Sequence, residues 1–82
     1  MCVRSWFELV TSALIRASFA LHEGRYRWAR KGTAGLVIVE IWPNRTLRKV
    51  LPGGRINVHK HCSVEDAVAV IGSAAIDSDF LG

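Results

Sequence analysis

The side chains best suited to chemistry lie together at residues 59–62, in the run His59-Lys60-His61-Cys62. On a strand, His59 and His61 would project to the same side. Two imidazoles so placed suit metal binding, or acid–base cleavage of RNA with a lysine nearby. Zinc sites take three or four protein ligands, however, and only distant residues could complete this one. We therefore predict surface histidines, with no metal and no cofactor, and keep a toxin-like RNase that uses His59 and His61 as an alternative.

Basic residues are concentrated in the middle of the chain. Residues 25–62 hold nine of them against the single acid Glu40, whereas residues 63–82 hold four acids and no base. A field with this orientation steers polyanionic or acidic partners toward the molecule. We predict that the partner is contacted by five outward-pointing side chains: Arg25, Arg27, Arg48, Lys49 and Arg55. Tyr26 and Trp28 alternate with the arginines, which predicts a place in the core for both rings.

Size and composition exclude several classes of protein. Eighty-two residues make one domain, over residues 1–82, and its core leaves little room for a substrate pocket of roughly 300–1,000 Å³. We expect no enzyme and no small-molecule substrate. The longest apolar stretch is interrupted by Glu8 and Arg16, so it is not a membrane span. Cys2 and Cys62 form no CxxC pair, which predicts free thiols and a cytoplasmic location.

A helix is predicted from Trp6 to Leu21. Ser5 fits an N-terminal cap, apolar residues follow at helical spacing, and a glycine at position 24 ends the pattern. Ile15 and Phe19 fall on nearly the opposite side of this helix from its apolar face. We expect both to be exposed there, and contiguous exposed apolar patches tend to mark interfaces. A homodimeric protein–protein interaction module that uses Ile15 and Phe19 is therefore a further alternative.

The middle of the chain is predicted to form three or four strands. The first alternates in polarity, and the second, residues 36–42, is apolar on both sides, which is typical of a central strand. Residues 46–51 predict a weaker strand. Pro52 and the two glycines after it predict a type II turn, and the strand that follows is expected to point Ile56 and Val58 inward.

A second helix is predicted to begin at Ser63, with carboxylates in its first turn. Residues 76–82 are expected to fray into a tail. The element order is therefore α-β-β-β(-β)-α. It predicts an α+β fold in which an antiparallel three- to four-stranded sheet packs both helices on one face. The other face would be free and would carry the outward basic side chains.

This order of elements resembles the double-stranded-RNA-binding fold, which small toxin RNases also use. In the RNA-binding family the second helix opens with lysines that contact phosphate, whereas Glu65 and Asp66 occupy the matching turn here. The resemblance is one of topology, so function has to be argued from the site.

The favoured interpretation is a small non-enzymatic binding protein that acts by occupying a surface. Its partner would be nucleic acid, or a nucleic-acid-handling protein complex whose surface is acidic or phosphate-bearing. Small accessory proteins of phages and mobile elements, anti-CRISPR inhibitors among them, act in this way. We expect no membrane partner.

Overall fold

A computed structural model describes residues 5–32 and 35–80 of the chain, without the side chains of residues 77–80. Its elements are, in chain order, α1 (Trp6–Arg16), β1 (Ala20–Glu23), β2 (Arg27–Gly32), β3 (Gly35–Trp42), β4 (Thr46–Val50), β5 (Ile56–His59) and α2 (Val64–Phe80). The strands form one sheet in the order β1-β2-β3-β4-β5, and each neighbouring pair is antiparallel. The α+β class with an antiparallel sheet is confirmed, with five strands instead of three or four.

Helix α1 ends at Arg16, well before the predicted end at Leu21. Ser18 N–H donates to Ile15 O at 3.0 Å and Phe19 N–H to Leu14 O at 2.9 Å, the paired bonds of a Schellman cap. Ser18 takes the left-handed conformation that this cap requires, with φ 68°. The turn frees residues 20–23 to form β1.

This early turn also corrects the predicted position of Phe19. Its side chain is 4% exposed and belongs to the core, so it does not lie on the exposed back of a helix. The prediction that the helix continues to Leu21 was wrong because the helical spacing of the apolar residues is not interrupted at the Ser18 turn. Ile15, by contrast, is 60% exposed on α1, as expected.

Both helices share a single hydrophobic core with one face of the sheet, which we call the covered face. The fully buried side chains of this core come from α1, β3, β4 and α2: Val10, Leu14, Val37, Val39, Ile41, Leu47, Ala67 and Ala74. Trp28 is buried there too, as predicted, and β3 is the central strand.

The other side of the sheet, which we call the open face, carries the residues that alternate with these. Ile56 and Val58 lie on it and are 51% and 53% exposed, opposite Val50 and Arg48. The prediction that they point inward is wrong. Alternation fixes which residues of a strand share a face but not which face is covered, and an edge strand can place its apolar side chains outward.

The local signals of the second half are confirmed. Gly54 N–H donates to Leu51 O at 3.1 Å and Gly53 has φ 94°, as a type II turn requires. Ser63 Oγ accepts from Asp66 N–H at 3.1 Å and caps α2. The predicted fraying from residue 76 differs from the structure, in which α2 continues to Phe80; residues 81 and 82 of the predicted tail lie outside the described residues. The helices within the described residues are too short or too polar to span a bilayer.

Candidate nucleic-acid interface

The structure does not bring the five predicted contact residues together. Arg27 and Arg48 lie on the open face, where carboxylates hold them. Lys49 is 8% exposed and lies on the covered face, opposite Val39. Arg25 and Arg55 are exposed in turns at opposite ends of the sheet. A single basic sheet face that includes all five is therefore not what the fold presents.

Four side chains of alternating charge instead cross the open face in one row, one from each of four neighbouring strands: Glu23, Arg27, Glu40 and Arg48. Arg27 donates to Glu23 from Nη1 at 2.8 Å and to Glu40 from Nε at 2.9 Å. Arg48 Nε lies 3.3 Å from Glu40 Oε1, an ion pair without the alignment of a hydrogen bond. We call this row the charge ladder, and its net charge is zero.

Glu40 forms the centre of the charge ladder and is only 4% exposed. Its hydrogen bond raises the pKa of Arg27 above the ordinary value, and the charge of Glu40 and then the contact with Glu23 raise it further. The two ladder arginines are thus matched by acids of the same chain. In the sequence, the one sign of the charge ladder is Glu40, the only acid of residues 25–62. Its partners can be identified only from the strand register.

Three other basic side chains lie at one end of the sheet, which we call the loop end. Alternate connections of an antiparallel meander lie at the same end, so the turns at 24–26 and 43–45 and the connection at 60–63 all lie at this end of the sheet. The exposed basic residues of these three segments are Arg25, Arg45 and Lys60. In the part of the chain that the structure describes, none of the three is paired with a carboxylate.

One backbone contact fixes two of these segments against each other. Cys62 N–H donates to Arg45 O at 2.9 Å, across from the β3–β4 turn to the segment that leads into α2. Arg45 itself has φ 65°, and Asn44 Oδ1 accepts from Thr46 N–H at 3.2 Å to close the turn. Arg45 and Lys60 were missing from the predicted contact set, since only the meander reveals that their turns are adjacent.

An open cleft of about 310 Å³ lies beside Arg25 at the loop end. Tyr26 and Trp42 line it, together with Glu23, Arg27 and Glu40 of the charge ladder. Tyr26 is 37% exposed, so its predicted place in the core is wrong. Phe7 holds the Tyr26 ring edge-to-face, with the centroids 5.7 Å apart and the planes at 85°. Aromatic rings beside an unpaired arginine suit the stacking of a nucleic-acid base.

The two histidines also lie at the loop end and line a second concavity of about 350 Å³. β5 ends at His59, and His61 has φ 54°, so they do not share a strand face as predicted. Burial and then the nearby Asp66 carboxylate raise the pKa of the Cys62 thiol, which disfavours the reactive thiolate. The described residues contain no group of three side chains able to hold a metal ion.

No family model, curated protein or solved structure matches this chain. The function has to be argued from the loop end, the charge ladder and the open face themselves.

Proposed function

We propose that this protein is a small non-enzymatic binding protein of the cytoplasm that occupies a nucleic acid through the loop end. The observation that supports the proposal is the placement of Arg25, Arg45 and Lys60 at one end of the sheet, where Arg25, Tyr26 and Trp42 line a cleft. Unpaired basic side chains supply contacts to phosphate, and aromatic rings supply sequence-tolerant stacking. Occupation of this kind would make the protein an accessory factor or inhibitor of the type found in phages and mobile elements.

The geometry supports a flexible single strand better than a duplex. The basic residues stand on three short connecting segments at one end of the sheet. Neither described helix has the series of basic residues with which many duplex readers enter the major groove, since α1 carries only Arg16 and α2 carries no base. The first turn of α2 carries Glu65 and Asp66. These acids would repel phosphate on one side of the loop end and so orient a bound strand.

The test is fluorescence anisotropy of a short labelled single strand, RNA and DNA in turn, at several salt concentrations. A triple variant, Arg25→Gln with Arg45→Gln and Lys60→Gln, should bind more weakly at low salt. Each phosphate contact contributes about −0.7 to the slope of log affinity against log salt for a single strand, so three lost contacts should flatten the slope by about 2.

A matched triple variant removes the same charge from the opposite end of the sheet, with Arg16→Gln, Lys31→Gln and Arg55→Gln, all at exposed positions. It should keep nearly the full affinity and salt slope. Equal losses in the two triples would show that net charge alone attracts the strand and would overturn the assignment to the loop end. If the parent binds no strand but retains a nuclease-resistant protein complex from lysate, the partner is a protein complex.

An RNase that uses His59 and His61 is a second candidate, because one concavity gathers both imidazoles and Lys60. Acid–base cleavage of RNA needs two such groups near the scissile phosphate. Labelled RNA should be cleaved by the parent and stay intact with His59→Ala, if the variant keeps the parent's circular dichroism spectrum. RNA that survives the parent protein would remove this candidate.

A further inference from the structure

The open face carries a second cross-strand row beside the charge ladder, and this row is apolar. It takes one residue from each of the five strands, in register: Ala20, Ala29, Ile38, Val50 and Ile56. The helices lie on the covered face, and Ile56 is half exposed. Five aligned apolar side chains beside a neutral row of ion pairs form a surface suited to a protein partner.

We propose that the open face binds the open face of a second copy of this chain. The two sheets would pack face to face, related by a two-fold axis that runs parallel to the strands and passes between β2 and β3. Each copy's β2 would then lie over the partner's β3, and each β1 over the partner's β4. Aligned packing of two sheets in this way, about 10 Å apart, is a standard arrangement of β-sandwiches.

The charge ladder is complementary to its own reversed copy. Along the row the signs run negative, positive, negative, positive, and the two-fold axis reverses the order of strands in the facing copy. Glu23 would therefore face the partner's Arg48, and Arg27 would face the partner's Glu40. A surface that matches itself under a two-fold rotation is what an isologous dimer requires.

The apolar row is complementary in size under the same rotation. Ala20 would face the partner's Val50, and Ala29 the partner's Ile38, so that each small side chain meets a β-branched one. Facing sheets interdigitate best when large and small residues alternate across the interface. β5 would project past the partner's β1, where Ile56 can contact the edge of that strand.

The ladder can be buried at low cost because its acids and bases are already matched within each copy, so the dimer would leave no ladder charge without a partner. A stable dimer buries roughly 800 Å² per partner, about 15% of the 5289 Å² surface of this chain, which one whole sheet face can supply. The axis leaves both loop ends on the same side of the dimer. Glu23, Arg27 and Glu40 of the ladder also line the cleft beside Arg25, so a second copy and a nucleic-acid base would compete for that surface. The dimer itself does not depend on the proposed binding of nucleic acid.

The experiment compares the parent with a ladder-swapped variant, Glu23→Arg with Arg27→Glu, Glu40→Arg and Arg48→Glu, without nucleic acid. The reversed ladder is again complementary to itself, so each protein alone should sediment as a dimer of twice 9.1 kDa. Facing the parent, however, the swapped ladder would place like charges opposite each other. Because the swap leaves the composition and hence the mass unchanged, the parent is labelled with nitrogen-15 before mixing. Native mass spectrometry of the mixture should then show two homodimers and no heterodimer.

A second pair of variants keeps the test decisive if the swapped protein does not fold. Val50→Lys places a charge in the apolar row, whereas Val68→Lys places the same charge on α2, where Val68 is 44% exposed. Val50→Lys should weaken the dimer by more than about tenfold, and Val68→Lys should leave it unchanged. A monomeric parent, free exchange between parent and swapped subunits, or equal effects of the two lysines would each overturn the proposal.

Discussion

Along β3, the covered and open faces reach similar burial by different means. Ile41 on the covered face is fully buried among helix side chains, and Glu40 on the open face is 4% exposed although no helix covers it. Its cross-strand neighbours Arg27 and Arg48 both pair with its carboxylate, and the aliphatic stem of an arginine can cover the surface beside its charged group. Burial on the covered face thus depends on packing between layers, whereas on the open face it depends on neighbours within one layer.

The largest expected effect is a difference in stability between alanine variants of two isoleucines of β3, one on each face of the sheet. Ile41→Ala removes a fully buried side chain and leaves a cavity under the helices, so we expect a loss of about 2–5 kcal/mol in the free energy of unfolding. Ile38→Ala, on the open face and half-buried, should lose only about 1 kcal/mol because water can fill the space. Urea denaturation of both variants measures the difference.

Protein concentration makes this comparison sharper. If the open face is buried in a dimer, the loss for Ile38→Ala should grow as the concentration rises, since dimerisation adds to apparent stability by mass action. The loss for Ile41→Ala should stay constant. Equal losses at every concentration would contradict the distinction between the two faces.

The next effect should come from the centre of the charge ladder. Glu40→Gln removes the only charge between Arg27 and Arg48 and should cost about 1–2 kcal/mol, less than a fully buried pair because both arginines are about 40% exposed. Glu23→Gln, at the exposed end of the ladder, should change stability by less than about 0.5 kcal/mol. A loss at Glu23 as large as that at Glu40 would show that the ladder acts as a surface network and does not depend on burial.

The features that could be predicted from the sequence are those whose signals lie in residues that are neighbours along the chain. The cap at Ser63, the turn at Pro52 and the central position of β3 follow from neighbouring residues, and the structure confirms them. The face of β5 and the partners of Glu40 depend on strand register, which no local pattern contains. The loop end was missed for the same reason, because Arg25, Arg45 and Lys60 come to one end of the sheet only in the folded meander.

A smaller effect tests the turn at Ser18, which ends α1 and places Phe19 on the covered face. Ser18 caps α1 with φ 68°, a conformation that costs a non-glycine residue stability. Ser18→Gly should therefore stabilise the protein by about 0.5–1 kcal/mol, after the greater freedom of glycine in the unfolded chain is discounted. Ser73→Gly, within α2, should instead destabilise by about 0.5 kcal/mol. In thermal unfolding, the melting temperature should rise for Ser18→Gly and fall for Ser73→Gly. A lower melting temperature for Ser18→Gly would contradict the role of Ser18 as a left-handed cap.

The smallest effect concerns pH and the thiol of Cys62, which packs into the core on the covered side. Burial and then Asp66 raise the pKa of Cys62 in the folded state, so the folded protein holds the thiol proton more tightly than the unfolded chain does. The stability due to this group is complete below the unfolded thiol pKa and is lost as pH rises through the folded value. In a Cys2→Ser background, the free energy of unfolding should thus fall in the alkaline range, and adding Cys62→Ala should remove that part of the fall. An unchanged pH slope after the second substitution would mean that the thiol ionises as freely in the folded core as in the unfolded chain.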